Sequence, residues 1–199
     1  MTTTTATGRR RLEPDERRRE ILGCAVRLFG ERAYAEVSTT DIAREAGVAR
    51  GLINHYFGTK KELYLEVVRA LVTVPDVALA QLPRGTREER VEACVGWFLD
   101  VVQRHSSAWF AAVNAEVLGR DPDVVRVLEE ADDRTADQVL ALLGIEPTED
   151  VRAMVRAHAG MAKVAAHEWL VRRAMTREQA HALLSRTLLT IVEDVAAAG

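Results

Sequence analysis

The stretch Ser38 to Leu63, STTDIAREAGVARGLINHYFGTKKEL, carries two short helical patterns on either side of Gly47 and a third that begins after Thr59. Ser38 or Thr39 can open the first helix by accepting a backbone N–H that lacks a partner in the first turn. Asp41 then sits where negative charge favours the positive end of the helix dipole. Ile42 and Ala46 share a face, Ala43 is small enough for a close helix crossing, and Gly47 supplies the left-handed backbone that a tight interhelical turn requires. Val48 and Ile53 fill the angle between the helices. This is the layout of a helix-turn-helix, which lays its second helix in the major groove of DNA.

On that second helix, Ile53 and Phe57 lie four apart and anchor one face, which turns Arg50, Gly51, Asn54 and His55 outward. Arg50 can donate bidentately to guanine, Asn54 can pair with adenine, and Gly51 lets the backbone come close to the duplex. Tyr56 offers a hydroxyl to a phosphate. Thr59-Lys60-Lys61-Glu62 reads as a capping box, and Lys60 with the amides of the new helix is expected to clamp a phosphate beside the recognition helix.

These residues resemble the TetR family of bacterial transcriptional repressors. The matching pattern is Thr39, Thr40, Ile42 and Ala43, the turn Ala46-Gly47-Val48, then Gly51, Ile53, His55-Tyr56-Phe57, Lys60, Glu62 and Leu63. With the resemblance, the expected DNA-facing set is Thr39, Thr40, Arg50, Gly51, Leu52, Asn54, His55, Tyr56 and Lys60. Asn54 stands where the family often has tyrosine, and Leu52 where a small residue is common, so the operator preference is expected to be this chain's own. The resemblance also implies a two-fold dimer on a palindromic operator, since a single recognition helix reads too few base pairs.

The net charge of −3 looks wrong for a DNA binder until it is divided along the chain. Residues 1–61 hold 12 Lys and Arg against 8 Asp and Glu, whereas residues 62–199 hold 15 against 22. The N-terminal part is therefore basic and the remainder acidic. Arg9-Arg10-Arg11 and Arg17-Arg18-Arg19 are expected to add a salt-sensitive attraction for phosphates. No apolar run approaches the roughly 18 residues that span a membrane, and Met1–Gly8 lacks the apolar centre of a signal peptide, so a cytoplasmic bacterial protein is expected, nucleoid-associated when on DNA. Cys24 and Cys94 are far apart in sequence and each falls in a helical stretch, which favours buried free thiols over a disulfide or metal pair.

Capping and breaker residues divide the whole chain into nine helices. Pro14 opens a helix to about Ala33 that packs over the helix-turn-helix, and a fourth runs from Thr59 to about Val74, where Pro75 interrupts it. Further helices are expected from Thr86 to Arg104, from Ser106 or Ser107 to Val117, from Asp121-Pro122 to Leu143, from Glu146-Pro147-Thr148 to Ala174, and from Thr176 toward Ala197. The expected architecture is all-α: residues 1–61 as a tail and three-helix DNA-binding head, and residues 62–199 as a larger helical body for ligand binding and dimerisation.

Within the body, Ala153, Ala157, Gly160, Ala162, Ala165 and Ala166 keep one helix thin, and Leu183, Leu184, Thr187, Leu188, Ile191, Val192 and Val195 stripe the next. The pattern suits either an intramolecular core or a homodimer through the last two helices, and the resemblance selects the dimer. Trp97, Phe98, Trp109, Phe110 and Trp169 are half of the chain's aromatics, and with His105, Asn114, His158 and Met161 they are the candidates for lining an effector site. Ordinary core is the competing reading; the resemblance favours a small-molecule effector, largely apolar or aromatic.

Glu178 and His181 make an E-x-x-H, but a di-iron bundle needs that motif twice with further carboxylates, so no metal and no cofactor is expected. No glycine-rich phosphate loop or nucleophile elbow is present either, which argues against an enzyme. The combined reading is a ligand-released repressor. Its alternative is a helical module that binds a small molecule or partner protein without sequence-specific DNA regulation.

Overall fold

A computed structural model of the chain describes residues 13–113 and 121–198, and every regular element among them is helical. In chain order these are α1 (Pro14–Glu31), a 3-10 turn (Tyr34–Glu36), α2 (Thr39–Glu45), α3 (Arg50–Phe57), α4 (Lys60–Val72), α5 (Asp76–Ala80), α6 (Arg87–Arg104), α7 (Ser106–Val113), α8 (Pro122–Leu143), α9 (Glu149–Leu170) and α10 (Arg177–Ala198). Nine of the α-helices run for seven residues or more, as expected. The tenth, α5, has five residues and occupies a stretch read only as a linker.

Two compact units divide between Tyr64 and Leu65, inside α4. The expected division fell after Lys61, but Leu63 and Tyr64 are both buried and the Tyr64 ring packs edge-on against Phe29 and Tyr34 at 5.0 and 4.9 Å. The first turn of α4 is thus part of the head. Ile21, Cys24, Ala25 and Phe29 of α1 complete the head's core with Val37, Ile42, Ala43, Ala46, Ile53 and Phe57.

The head's helices begin and end where local chemistry requires. The Ser38 hydroxyl accepts from the Asp41 amide at 3.1 Å while the Asp41 carboxylate accepts from the Ser38 amide at 3.0 Å, a reciprocal cap on α2. At its other end Gly47 takes φ +60°, which lets the Val48 amide reach back to the Ala43 carbonyl at 2.9 Å and its own amide reach Arg44 at 3.1 Å. That double closure uses up carbonyls that the helix end would leave orphaned, and it fixes the angle at which α3 departs.

In the body, Val91, Val95 and Leu99 of α6 and Leu143 of α8 pack with Ala162 and Ala165 of α9 and with Ala180, Leu184, Leu188 and Val192 of α10. A row of ion pairs joins α8 to α9: Asp132 with Lys163 at 2.7 Å, Asp133 with Arg156 at 2.9 Å, and Asp137 with Arg152 at 2.7 Å. Helix α9 stops four residues before the expected Ala174. Arg173 there adopts φ +54°, and the Ala174 amide turns back to the Glu168 carbonyl at 2.9 Å. A left-handed arginine costs about 1–2 kcal/mol of local strain, so nothing in its identity signals the stop. Short α5 is tied down by α8, whose Gln138 donates to Asp76 at 2.5 Å and to the Val74 carbonyl at 3.1 Å, with Arg134 pairing to Asp76 at 3.0 Å.

Candidate nucleic-acid interface

Helix α3 is held from one side only. Ile53 is fully buried and Phe57 nearly so, while Arg50, Gly51, Asn54 and His55 are exposed and Leu52 and Tyr56 are half-buried. A Cβ placed on Gly51 would meet nothing within 4 Å, so no packing inside the chain demands a glycine there. The missing side chain matters only to something that approaches from outside. Thr40 is exposed and Thr39 half-buried at the start of α2, and His55 rests edge-on against Tyr56 with ring centres 5.1 Å apart. The outward α3 residues and the first turn of α2 thus supply guanidinium, amide, imidazole and hydroxyl groups, the types that read base edges and grip phosphates.

The surrounding basic groups have partners within the chain. The Lys60 ammonium donates to the Tyr34 carbonyl at 2.5 Å and sits 4.1 Å from the centre of the Tyr34 ring, and its partial burial lowers the lysine's pKa. The capping box beside it is occupied by the chain's own carboxylate, with the Thr59 amide donating to Glu62 at 2.6 Å and the Glu62 amide to the Thr59 hydroxyl at 3.2 Å. Hydrogen bonds from the Thr59 amide and side chain hold the Glu62 carboxyl below the usual carboxylate range. Lys60 and the Thr59 amide thus each have one partner within the chain. The arginine run on α1 is likewise divided: Arg17 pairs with Glu20 at 2.8 Å, Arg18 lies 4.7 Å from the centre of the Phe57 ring, and Arg19 donates to the Asp15 carbonyl at 3.3 Å. Arg9, Arg10 and Arg11 lie outside the described residues.

The body's candidates separate into groups. Phe98 meets the edge of Trp109 at 6.0 Å, Trp109 meets Phe110 at 5.1 Å, and Phe110 meets His167 at 5.8 Å, around Val102, Ala166 and Leu170. His167 was not among the expected lining residues. It follows directly after Ala166 on α9, and only the packing of α9 beside α7 reveals its neighbour. Met161 and Trp169 pack instead against the larger core, Trp97 is half-buried on α6, and His105 is exposed at the end of that helix. His158 ties α9 to α10 through a 2.9 Å hydrogen bond with the Leu184 carbonyl, and burial lowers its pKa. Asn114 lies outside the described residues. The thiols of Cys24 and Cys94 are both free, and burial pushes that of Cys94 up to about 11. Among the described residues no group of His, Cys, Asp and Glu could hold a metal, and no helix is long and apolar enough to cross a membrane.

The family assignment follows from the way these two units match known proteins. Residues 21–67 match the bacterial regulatory proteins of the tetR family, and residues 87–191 match the tetracyclin repressor-like C-terminal domain. The chain belongs to the TetR family. Relatives include the HTH-type transcriptional regulator BetI of Agrobacterium fabrum, 45% identical over 56 residues that cover 28% of this chain and 27% of that protein. The HTH-type transcriptional activator FasR of Mycolicibacterium smegmatis is 30% identical over 135 residues, which cover 67% of this chain and 61% of FasR. The match thus spans less than two thirds of the length of either. A tetR-family transcriptional regulator from Streptomyces coelicolor shares the fold, with a TM-score of 0.73 at 23% identity over 94% of this chain and 85% of that one. These likenesses are to transcriptional regulators and not to enzymes.

Proposed function

We propose that this TetR-family chain is a DNA-binding transcriptional regulator, a repressor that occupies a palindromic operator as a homodimer and leaves it when a largely apolar or aromatic small molecule binds the body. The observation that carries the reading is the outward face of α3, where Arg50, Gly51, Asn54 and His55 are exposed on a helix anchored by Ile53 and Phe57. Thr39, Thr40, Leu52 and Tyr56 flank that face. The head around it is the DNA-binding unit, and the body from Leu65 onward is the sensing and pairing unit.

The exposed side of α9 supports pairing. Ala153, Ala157 and Gly160 are small and exposed, with Met154 and Val164 exposed at 45% and 62%, and Leu183 of α10 adds to the apolar surface. The inner residues of the same helices, Ala162, Ala165, Leu184 and Leu188, are already used by the core. Phe98, Trp109, Phe110 and His167 are the effector-facing candidates, with Trp97, His105, Met161 and Trp169 at the margin. For release, the effector must bind the DNA-incompetent state more tightly, and α4 is the element whose shift would alter the spacing of the paired heads. The setting is the bacterial cytoplasm.

Selection of bound duplexes from random DNA tests the reading. A two-fold symmetric sequence is expected to emerge, and transcription from a promoter overlapping it is expected to fall. Retention of all sequences alike would favour a binding module without an operator, and a rise in transcription would assign an activator's role.

A further inference from the structure

Leu52 is the one aliphatic residue of α3 besides the buried anchor Ile53, and it is only half-buried. With about 3.6 residues per turn, it stands about 120° from the mean direction of Ile53 and Phe57, on the same side of the helix as Gly51 and His55. Both of those neighbours are exposed, and a Cβ on Gly51 would meet nothing within 4 Å. The part of the leucine that remains in water is an apolar surface among polar ones, and only a partner from outside the chain can cover it. Leucine is short, so it touches such a partner only where the helix backbone comes close. The bare Cα of Gly51 allows that approach at the adjacent residue.

We propose that Leu52 determines specificity by packing against the C5-methyl group of a thymine in each half of the operator. The choice of base follows from the groove. Base pairs present hydrogen-bond donors and acceptors along the floor of the major groove, and the thymine methyl is the apolar group among them. A leucine placed over a donor or acceptor would displace its water and return no hydrogen bond, which disfavours the other bases at that position. The hydrogen-bonding side chains of α3 lie on either side of Leu52 in sequence, Arg50 before it and Asn54 after it, so the leucine supplies a contact that they cannot make. The inference rests on the DNA-binding reading and deepens it by naming one base of the operator.

The test titrates the full chain with the selected operator and with copies in which each thymine in turn, in both half-sites, is replaced by deoxyuridine. That exchange removes the methyl group and keeps every hydrogen-bonding atom of the base. At one position the affinity is expected to fall about fourfold for each half-site, the effect of uncovering one buried carbon. A double-mutant cycle then joins base to residue: in Leu52→Ala the same replacement is expected to change affinity by less than about twofold. An operator indifferent to every thymine methyl would overturn the proposal and leave the DNA-binding reading standing. A methyl dependence that persists unchanged in Leu52→Ala would also overturn it, since the effect would then belong to duplex shape or to another side chain. The first measurement uses the unaltered chain, so it is decisive even where the variant does not fold. Retention of all sequences alike would refute the operator reading itself, and the role of Leu52 with it.

Discussion

The head and the body of this chain are both helical and both cap helix ends with polar side chains, yet they differ in where the rest of their polar groups go. In the head, polar chemistry closes helix ends and leaves one helix face outward: Ser38 with Asp41, Thr59 with Glu62, and Gly47 between α2 and α3 do the closing. In the body, beyond the caps, a row of ion pairs runs between long helices, as in the pairs of Asp132, Asp133 and Asp137 with Lys163, Arg156 and Arg152. The difference teaches where function shows. A surface that must grip another molecule exposes residues whose types name the partner. A site that must enclose a small molecule uses the same phenylalanines and tryptophans that any core would use.

The strongest test of that division is to damage one unit. Ile53 is fully buried beneath α3, and Ile53→Ala is expected to cost about 2–5 kcal/mol through lost burial and a cavity. DNA binding is expected to disappear while sedimentation still shows the proposed dimer. Simultaneous loss of both would mean that the body depends on the head's core, and the comparison would break. A smaller effect is expected at the surface. Arg50→Ala should lower affinity by about 1–3 kcal/mol for the operator and relax preference at one base position. Equal loss on operator and random DNA would remove Arg50 from the reading set.

Gly51 sharpens the contrast because stability and binding should move in opposite directions. A Cβ there meets open space, so Gly51→Ala is expected to stabilise α3 by up to about 1 kcal/mol while weakening operator binding. Thermal unfolding and binding isotherms of the same preparation check it; a variant that binds as well as the parent would show that the backbone does not approach the duplex at this point.

How much of this was legible follows the range of the interactions involved. Caps and left-handed closures act over three to six residues, so Thr86 with Glu89, Asp121, Thr176 with Gln179, and Gly144 placed their helix ends from spacing alone. The outward face of α3 was legible for the same reason, since a helical period needs no neighbours. The partner of Lys60 was not, because Tyr34 lies 26 residues away and nothing in a lysine's surroundings along the chain says that it reaches that carbonyl. Helix α5 escaped notice since it holds its place through Gln138 and Arg134, roughly sixty residues on. His167 and the stop of α9 at Leu170 were likewise decided by packing and by a strained Arg173.

Acid offers the gentlest way to separate the two units. Burial lowers the folded pKa of His158 below its usual value near 6.5, so the fold favours the neutral ring that meets the Leu184 carbonyl. Its contribution is therefore fully present above the unfolded pKa and is lost as pH falls through the folded one. The head behaves differently over that window. Asp41 and Glu62 are held below the usual carboxylate range by hydrogen bonds with Ser38 and Thr59, and their contribution persists until pH falls through those lowered values. Amide exchange followed from pH 7 to pH 5 should therefore show α9 and α10 losing protection before α2 and the start of α4. In His158→Gln, which keeps a side-chain donor for the Leu184 carbonyl without titrating, the early loss should flatten. An unchanged profile would place the acid sensitivity of the body in groups other than His158, and the ring would then serve only as a tie between α9 and α10.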